Sequence, residues 1–306
     1  MNHGPMNLAG RIVIAALLLA PASVRAQAID LTKGGPIEVL GDDLELHDLE
    51  HYAEAIGDAR ATRGTVTVTA DRLIAHYRKK GGPPPPSGNA SPASGTGGNE
   101  IYRLEAKGHV HIFTPTDEAV GDAAVYDIDQ AVLVMTGGAL KLTTPQQVIT
   151  ARDSLEYWSD KRMAVARGNA VVVTSDAKRM AADTLVAYTR PTDAKPADTK
   201  PAGEKMPAQP TAADPLASGG ALERVEAYGN VEVRTATDTA RGDRGLYLAA
   251  LSSAWLEGNV RLTSADNGQL NGGAAEVNMK TGVAKLARPP GARVKGMIVP
   301  SKKTTP

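Results

Sequence analysis

Glu226-Ala227-Tyr228-Gly229-Asn230-Val231-Glu232-Val233, followed by Gly242-Asp243, is the stretch on which the fold turns. After Asn230 the side chains alternate, Val231 and Val233 apolar and Glu232 charged, which is the period of a strand with one buried face. The same pattern returns at Gly108-His109-Val110-His111-Ile112, Gly138-Ala139-Leu140-Lys141-Leu142 and Gly258-Asn259-Val260-Arg261-Leu262. Gly168-Asn169-Ala170-Val171-Val172 keeps the phase with more apolar residues, and Gly57-Asp58-Ala59-Arg60-Ala61 keeps it with smaller ones. The anchors Gly57, Gly108, Gly138, Gly168, Gly229 and Gly258 stand 51, 30, 30, 61 and 29 residues apart. Two low-complexity insertions account for the long intervals, leaving a period near thirty, the mark of a repeat architecture. A glycine before each strand suits a tight corner with positive φ, and Asn169, Asn230 and Asn259 add turn chemistry beside it.

Each unit has a second half. Fourteen or fifteen residues after the anchor stands an aspartate in five of the six units, Asp71, Asp122, Asp153, Asp183 and Asp243, with Gly272 in the sixth. A further β-type segment follows, usually reaching a tyrosine, as in Asp122-Ala123-Ala124-Val125-Tyr126 and Asp243-Arg244-Gly245-Leu246-Tyr247. Each unit therefore reads as two strands. Gly41 to Leu46 resembles a second half standing alone and Val277 to Leu286 closes the series, for twelve to sixteen strands in all.

Residues 1–26 contain no acid, carry Arg11 ahead of an apolar run from Ile12 to Ala20 and finish at Val24-Arg25-Ala26, the pattern of a cleavable signal peptide. About nine apolar residues fall short of the roughly twenty that a spanning helix needs. The chain has no cysteine, so in an oxidising compartment its fold rests on burial and backbone pairing. Its 34 basic and 34 acidic residues balance, which excludes a polycation that coats nucleic acid. Residues 27–286 are expected to form the β domain and 287–306 a flexible basic tail carrying Arg288, Arg293, Lys295, Lys302 and Lys303. Insertions 79–99, with Pro83 to Pro86, and 190–220, rich in Pro, Ala, Asp and Lys, are expected to be disordered spacers.

The leader and the repeated Gly-Asn-Val and Gly-Asp half-units resemble the OstA-like proteins of the lipopolysaccharide transport system, including its periplasmic bridge components. The motif aligns at Glu226 to Val233 with Gly242-Asp243, and at Glu105-Ala106-Lys107-Gly108-His109-Val110 with Gly121-Asp122. The resemblance covers residues 37–286 apart from the insertions. It implies an all-β jelly-roll of two facing antiparallel sheets around a long groove. It also implies binding of lipopolysaccharide through the acyl chains of lipid A, and transfer across the periplasm between inner-membrane anchored and outer-membrane components, with head-to-tail self-association. By alternation the groove lining is Val110, Ile112, Leu140, Leu142, Ala170, Val172, Val231, Val233, Val260 and Leu262, which are equally what a closed core requires. A polymerising β-solenoid scaffold without a lipid ligand is the alternative.

No catalytic constellation is legible, and neither a cofactor nor a metal is expected. His47 and His51 stand four apart, but the alternation of Leu44-Glu45-Leu46 argues for strand rather than helix, and His109 and His111 lack a third ligand. One aspartate every thirty residues is too sparse for a calcium-binding solenoid, so these carboxylates are expected to cap backbone N–H groups at strand corners.

Overall fold

Each Gly-Asn corner falls inside a strand rather than before it, and that placement generates the architecture. A computed structural model describes residues 37–79, 99–191, 220–264, 268–278, 283–288 and 293–297. The expected signal peptide, and nearly all of both insertions, lie outside them. The elements are β1 (Glu38–Leu40), β2 (Asp43–His47), β3 (Tyr52–Arg63), β4 (Val66–Lys79), β5 (Asn99–Phe113), β6 (Glu118–Asp127), β7 (Val132–Thr136), β8 (Leu140–Thr143) and β9 (Gln147–Ala151). They continue with β10 (Ser154–Trp158), β11 (Met163–Thr174), β12 (Arg179–Pro191), β13 (Gly220–Arg234), β14 (Asp238–Leu248), β15 (Ser253–Ser264), β16 (Gly268–Asn278), β17 (Val283–Ala287) and β18 (Lys295–Met297). All pairings are antiparallel, in one continuous hydrogen-bonded ladder of 18 strands.

The ladder is bent lengthwise. Register shifts interrupt β3 between Ile56 and Ala59, β5 between Lys107 and Val110, β11 between Arg167 and Ala170, β13 between Tyr228 and Val231 and β15 between Glu257 and Val260. At each shift two successive residues take positive φ, 73° and 49° at Gly229 and Asn230. That left-handed pair adds one residue to its strand, a bulge that turns the chain without ending its pairing. The aspartates complete the corner. A Cβ on Gly229 would collide with Asp183, one on Gly108 with Asp71 and one on Gly258 with Asp243, so each carboxylate lies over the glycine of a neighbouring strand.

Aspartate capping takes two forms. Asp122 accepts the backbone N–H of Gly138 at 2.7 Å, as a capping role requires. Asp183 and Asp243 instead accept the side-chain amides of Asn230 and Asn259 at 2.9 Å, because the bulge points those amides across the seam.

The corners align into a seam that divides the ladder into two facing layers. On one side directly opposed residues run Ala106, Ala124, Met135, Leu155, Ala166 and Leu185. On the other they run Ile112, Ala119, Leu142, Ile149, Val172 and Met180. Residues of both rows share the same core clusters, so the two expected sheets are one ladder folded over on itself. We call the layer holding Ala106 layer I and the layer holding Ile112 layer II.

The count of 18 exceeds the expected twelve to sixteen because the seam or a connection cuts four strands in two: β1 from β2, β7 from β8, β9 from β10 and β17 from β18. Fourteen full-width positions at about 4.8 Å each put the free edges roughly 60 Å apart. The segment expected as a loose tail is partly recruited, since Lys295 to Met297 pair with β16.

The fold also repeats as a whole. Asp42 and Gly57 recur 111 residues on as Asp153 and Gly168, and Gly108, Asp122 and Gly137 recur 121 residues on as Gly229, Asp243 and Gly258. The second insertion accounts for most of the difference. Even the turns match: the Thr114 hydroxyl accepts the Asp117 N–H at 2.9 Å and the Thr235 hydroxyl that of Asp238 at 3.0 Å.

Candidate functional site

The interior between the layers is the candidate site, and the two halves of the chain fill it differently. All ten residues expected to line a groove point inward, but into two separate clusters. Val110, Ile112, Leu140 and Leu142 belong to the N-terminal cluster, and Ala170, Val172, Val231, Val233, Val260 and Leu262 to the C-terminal one.

In the N-terminal half the interior is occupied by its own side chains. Tyr77, Met135, Leu140 and Val110 are among the five largest side chains fully buried in the described chain. Corresponding positions in the C-terminal half carry less bulk: Ala254 stands where Leu133 does and Gly245 where Ala124 does. The consequence is visible in exposure. Ile112, Leu133 and Tyr126 are 5%, 8% and 7% exposed, whereas their counterparts Val233, Ala254 and Tyr247 are only half-buried.

That missing volume leaves a narrow apolar slot of about 50 Å³ between the layers. Met180, Val231, Val233 and Ala240 of layer II face Val225, Ala227, Gly245, Tyr247, Leu256 and Val277 of layer I across it, with Leu246, Ala254 and Trp255 also contributing. Of the ten expected residues only Val231 and Val233 line it. The others missed by sequence reasoning lie on the second strands β12, β14 and β16, where alternation is blurred by Ala and Gly, or on β13 and β15 ahead of the anchor glycines. Tyr247 is the one ionisable group in the lining, and burial pushes its hydroxyl above the usual tyrosine range. An apolar slot with one phenol can bury alkyl surface but offers no acid–base pair.

Charged chemistry lies outside. On the outer face of layer I, Glu54 is paired with Arg72 at 2.5 Å and Glu105 with Arg103 and Lys107 at 2.8 and 2.9 Å. Glu45, His47 and Glu54 bring three potential metal-ligating atoms within 4.8 Å of one another. Arg72 already neutralises Glu54, and His47 sits 3.0 Å from Glu45 and stacks on Tyr52. His51 lies in the adjoining turn, so the pair four apart does not share a face. His109 occupies a corner and contacts Asp71 at 2.9 Å, which holds its imidazole above the usual histidine range, while His111 lies 2.9 Å from Glu118. The two point to different acids.

A family model described as LptA/(LptD N-terminal domain) LPS transport protein matches the chain twice, over residues 38–153 and 149–283. The chain belongs to this LPS transport family. The two matches meet where β9 ends and β10 begins, so the internal repetition at 111 and 121 residues is a tandem of two family domains. Among curated relatives, "Uncharacterized protein R00383" of Rhizobium meliloti (strain 1021) is 27% identical over 141 residues, 46% of this chain and 70% of that protein. Among solved structures, LptH of Pseudomonas aeruginosa, the LptA homologous periplasmic component of the lipopolysaccharide transport device, is 17% identical. It covers 57% of this chain and 96% of its own, with a TM-score of 0.31. The OstA-like resemblance drawn from the Gly-Asn and Gly-Asp motifs is therefore correct, and so is the all-β class.

Proposed function

We propose that this chain binds lipopolysaccharide by taking acyl chains of lipid A into the C-terminal slot, and carries it across the periplasm as a bridge between inner-membrane anchored and outer-membrane components. The carrying observation is the slot, an apolar opening between layers lined by Val231, Val233, Tyr247 and their neighbours. Each acyl CH₂ buried there gains about 0.8 kcal/mol, so affinity needs no directional chemistry. No reaction is required of the protein, and the proposal is of a carrier rather than an enzyme. The ten expected lining residues then divide by role. Those of the N-terminal cluster pack a supporting stem, and Val231 and Val233 meet the ligand.

Head-to-tail self-association is supported by both ends of the ladder. Among the described residues β1 and β2 pair only with β3, and β17 and β18 only with β16, so each end of the described ladder presents an edge. Leu44 and Leu46 at one edge are 65% and 55% exposed, and Val283 and Met297 at the other 50% and 63%. Residues 38–50 hold six acids and no Lys or Arg, whereas residues 280–303 hold seven Lys or Arg and no acid. Opposite charge favours joining one edge to the other and disfavours like edges.

Mass spectrometry of lipid copurifying with the periplasmic protein tests the reading. Lipid A species should accompany the wild type and be lost from Val233→Asp while its circular dichroism is unchanged. Lipid-free wild type that still forms filaments would instead support the scaffold alternative, which gives the slot no role.

A further inference from the structure

Layer II turns its outer face to solvent, and in the C-terminal half that face is crowded with cations. Arg179 of β12 stands directly opposite Arg234 of β13, and Arg241 of β14 directly opposite Arg261 of β15. Asn271 of β16 continues the row from Arg261, and Lys295 of β18 continues it from Asn271. One carboxylate stands among them. Glu232 takes Arg179 at 3.0 Å, Arg241 at 2.7 Å and Arg234 at 3.3 Å, and the hydrogen bond from Arg241 holds its carboxyl below the usual range. Among the described residues Arg261 and Lys295 have no ion-pair partner.

Like charges directly opposite weaken a sheet, so this arrangement works against the fold. The fold does not require it either. The N-terminal domain places Thr67 opposite Phe113 and Val120 opposite Lys141 at the matching positions, with one cation in place of four. Thr239, Thr263, Gln269 and Asn271 fill the remainder of the face, and its exposed large apolar side chains, Val173 opposite Arg179 and Met297 opposite Gln269, stand at the margins of the cationic area rather than between the arginines. Protein interfaces take their energy from central anchors of that kind, which this face carries only at its margins. From β12 to β18 the cations spread over about 24 Å of sheet, so they do not converge on one small anion.

We propose that the outer face of layer II in the C-terminal domain docks on the phosphate headgroups of an anionic lipid bilayer. Guanidinium forks match phosphate oxygens in pairs, and a plane of separated cations matches a plane of separated anions. The surface lies on the opposite side of layer II from the apolar slot, so the proposal stands apart from the carrier reading.

Co-sedimentation of the mature full-length chain with vesicles decides it. Wild type should bind vesicles of phosphatidylglycerol and phosphatidylethanolamine, ignore pure phosphatidylcholine, and release as salt rises. Each cation removed should cost about fivefold in affinity, so R179Q/R234Q/R241Q/R261Q should weaken binding by hundreds of fold while its circular dichroism shows it folded. Val120→Arg, which sets a second cation opposite Lys141 as Arg241 stands opposite Arg261, should strengthen it. Equal binding by wild type and the quadruple variant would overturn the proposal. So would wild type that ignores anionic vesicles, competition by millimolar inorganic phosphate equal to that by vesicles, or a wild-type dimer that the quadruple variant loses with vesicle binding unchanged.

Discussion

The two domains of this chain share a seam, a register and a set of corner residues, yet one is filled and the other is open. Leu133 and Ala124 in the first become Ala254 and Gly245 in the second, and the interior loses the volume those side chains supplied. Backbone geometry is thus set by the corners, while occupancy of the interior is set independently by side-chain size. A tandem can keep one domain as a stem and give the other to a ligand without altering the ladder that joins them.

Charge substitution probes that contrast most severely. Ile112→Asp places a carboxylate at a position 5% exposed and should cost more than about 4 kcal/mol in urea unfolding. Val233→Asp, its counterpart 121 residues on, should cost far less because its side chain is half-buried. Equal costs would show that the second domain is closed too. Exchanging volumes comes next. Leu133→Ala should lose about 2–4 kcal/mol, whereas Ala254→Leu should stay within about 1 kcal/mol and exclude lipid from the slot.

The seam should treat both domains alike. Gly108→Ala and Gly229→Ala each put a Cβ against an aspartate at positive φ and should each cost about 1–3 kcal/mol, measured as a fall in thermal midpoint. Gly245→Ala meets only ordinary contacts near 3.4 Å and should be close to neutral. A marked inequality between the two seam variants would mean that the corners are not equivalent.

The smallest effect is in pH. His47, His51, His76, His109 and His111 all lie in the first domain, and residues 154–306 contain none. Burial pushes His76 below the usual histidine range. The unfolded chain then takes up its proton first, so its contribution is complete above about pH 6.5 and declines as pH falls below that. His109 has the opposite sign: raised by the hydrogen bond to Asp71, its contribution is present below about pH 6.5 and is lost as pH rises through its higher value. Proton NMR should find His76 titrating below free histidine and His109 above it, with Asp71→Asn returning His109 toward the free value. Amide protection factors, taken relative to the intrinsic exchange rate at each pH, should change between pH 7.5 and 5.5 only in the first domain.

Much of the fold was legible because glycine, asparagine and aspartate are required locally. Gly229-Asn230 adopts a conformation that a larger residue would strain, so its recurrence shows in the sequence wherever the ladder turns. The slot was less legible. Val231 and Val233 were found by alternation, but Met180, Tyr247 and Leu256 converge on the same space from three other strands, and alternation cannot say which strands face each other. The cationic face was hidden for the same reason, since Arg179 and Arg234 are 55 residues apart in sequence and directly opposed in the sheet.

The Gly-Asn corners and the alternation after them determined by themselves that this chain is a run of paired strands, because each of those requirements is met within a few residues, whereas the seam brings together partners such as Asp183 and Gly229 that stand 46 residues apart. Whether the bent ladder encloses a packed core or an open slot was decided only by the tertiary structure. That outcome depends on the summed volume of side chains from many strands meeting across a gap, and no local pattern records that sum.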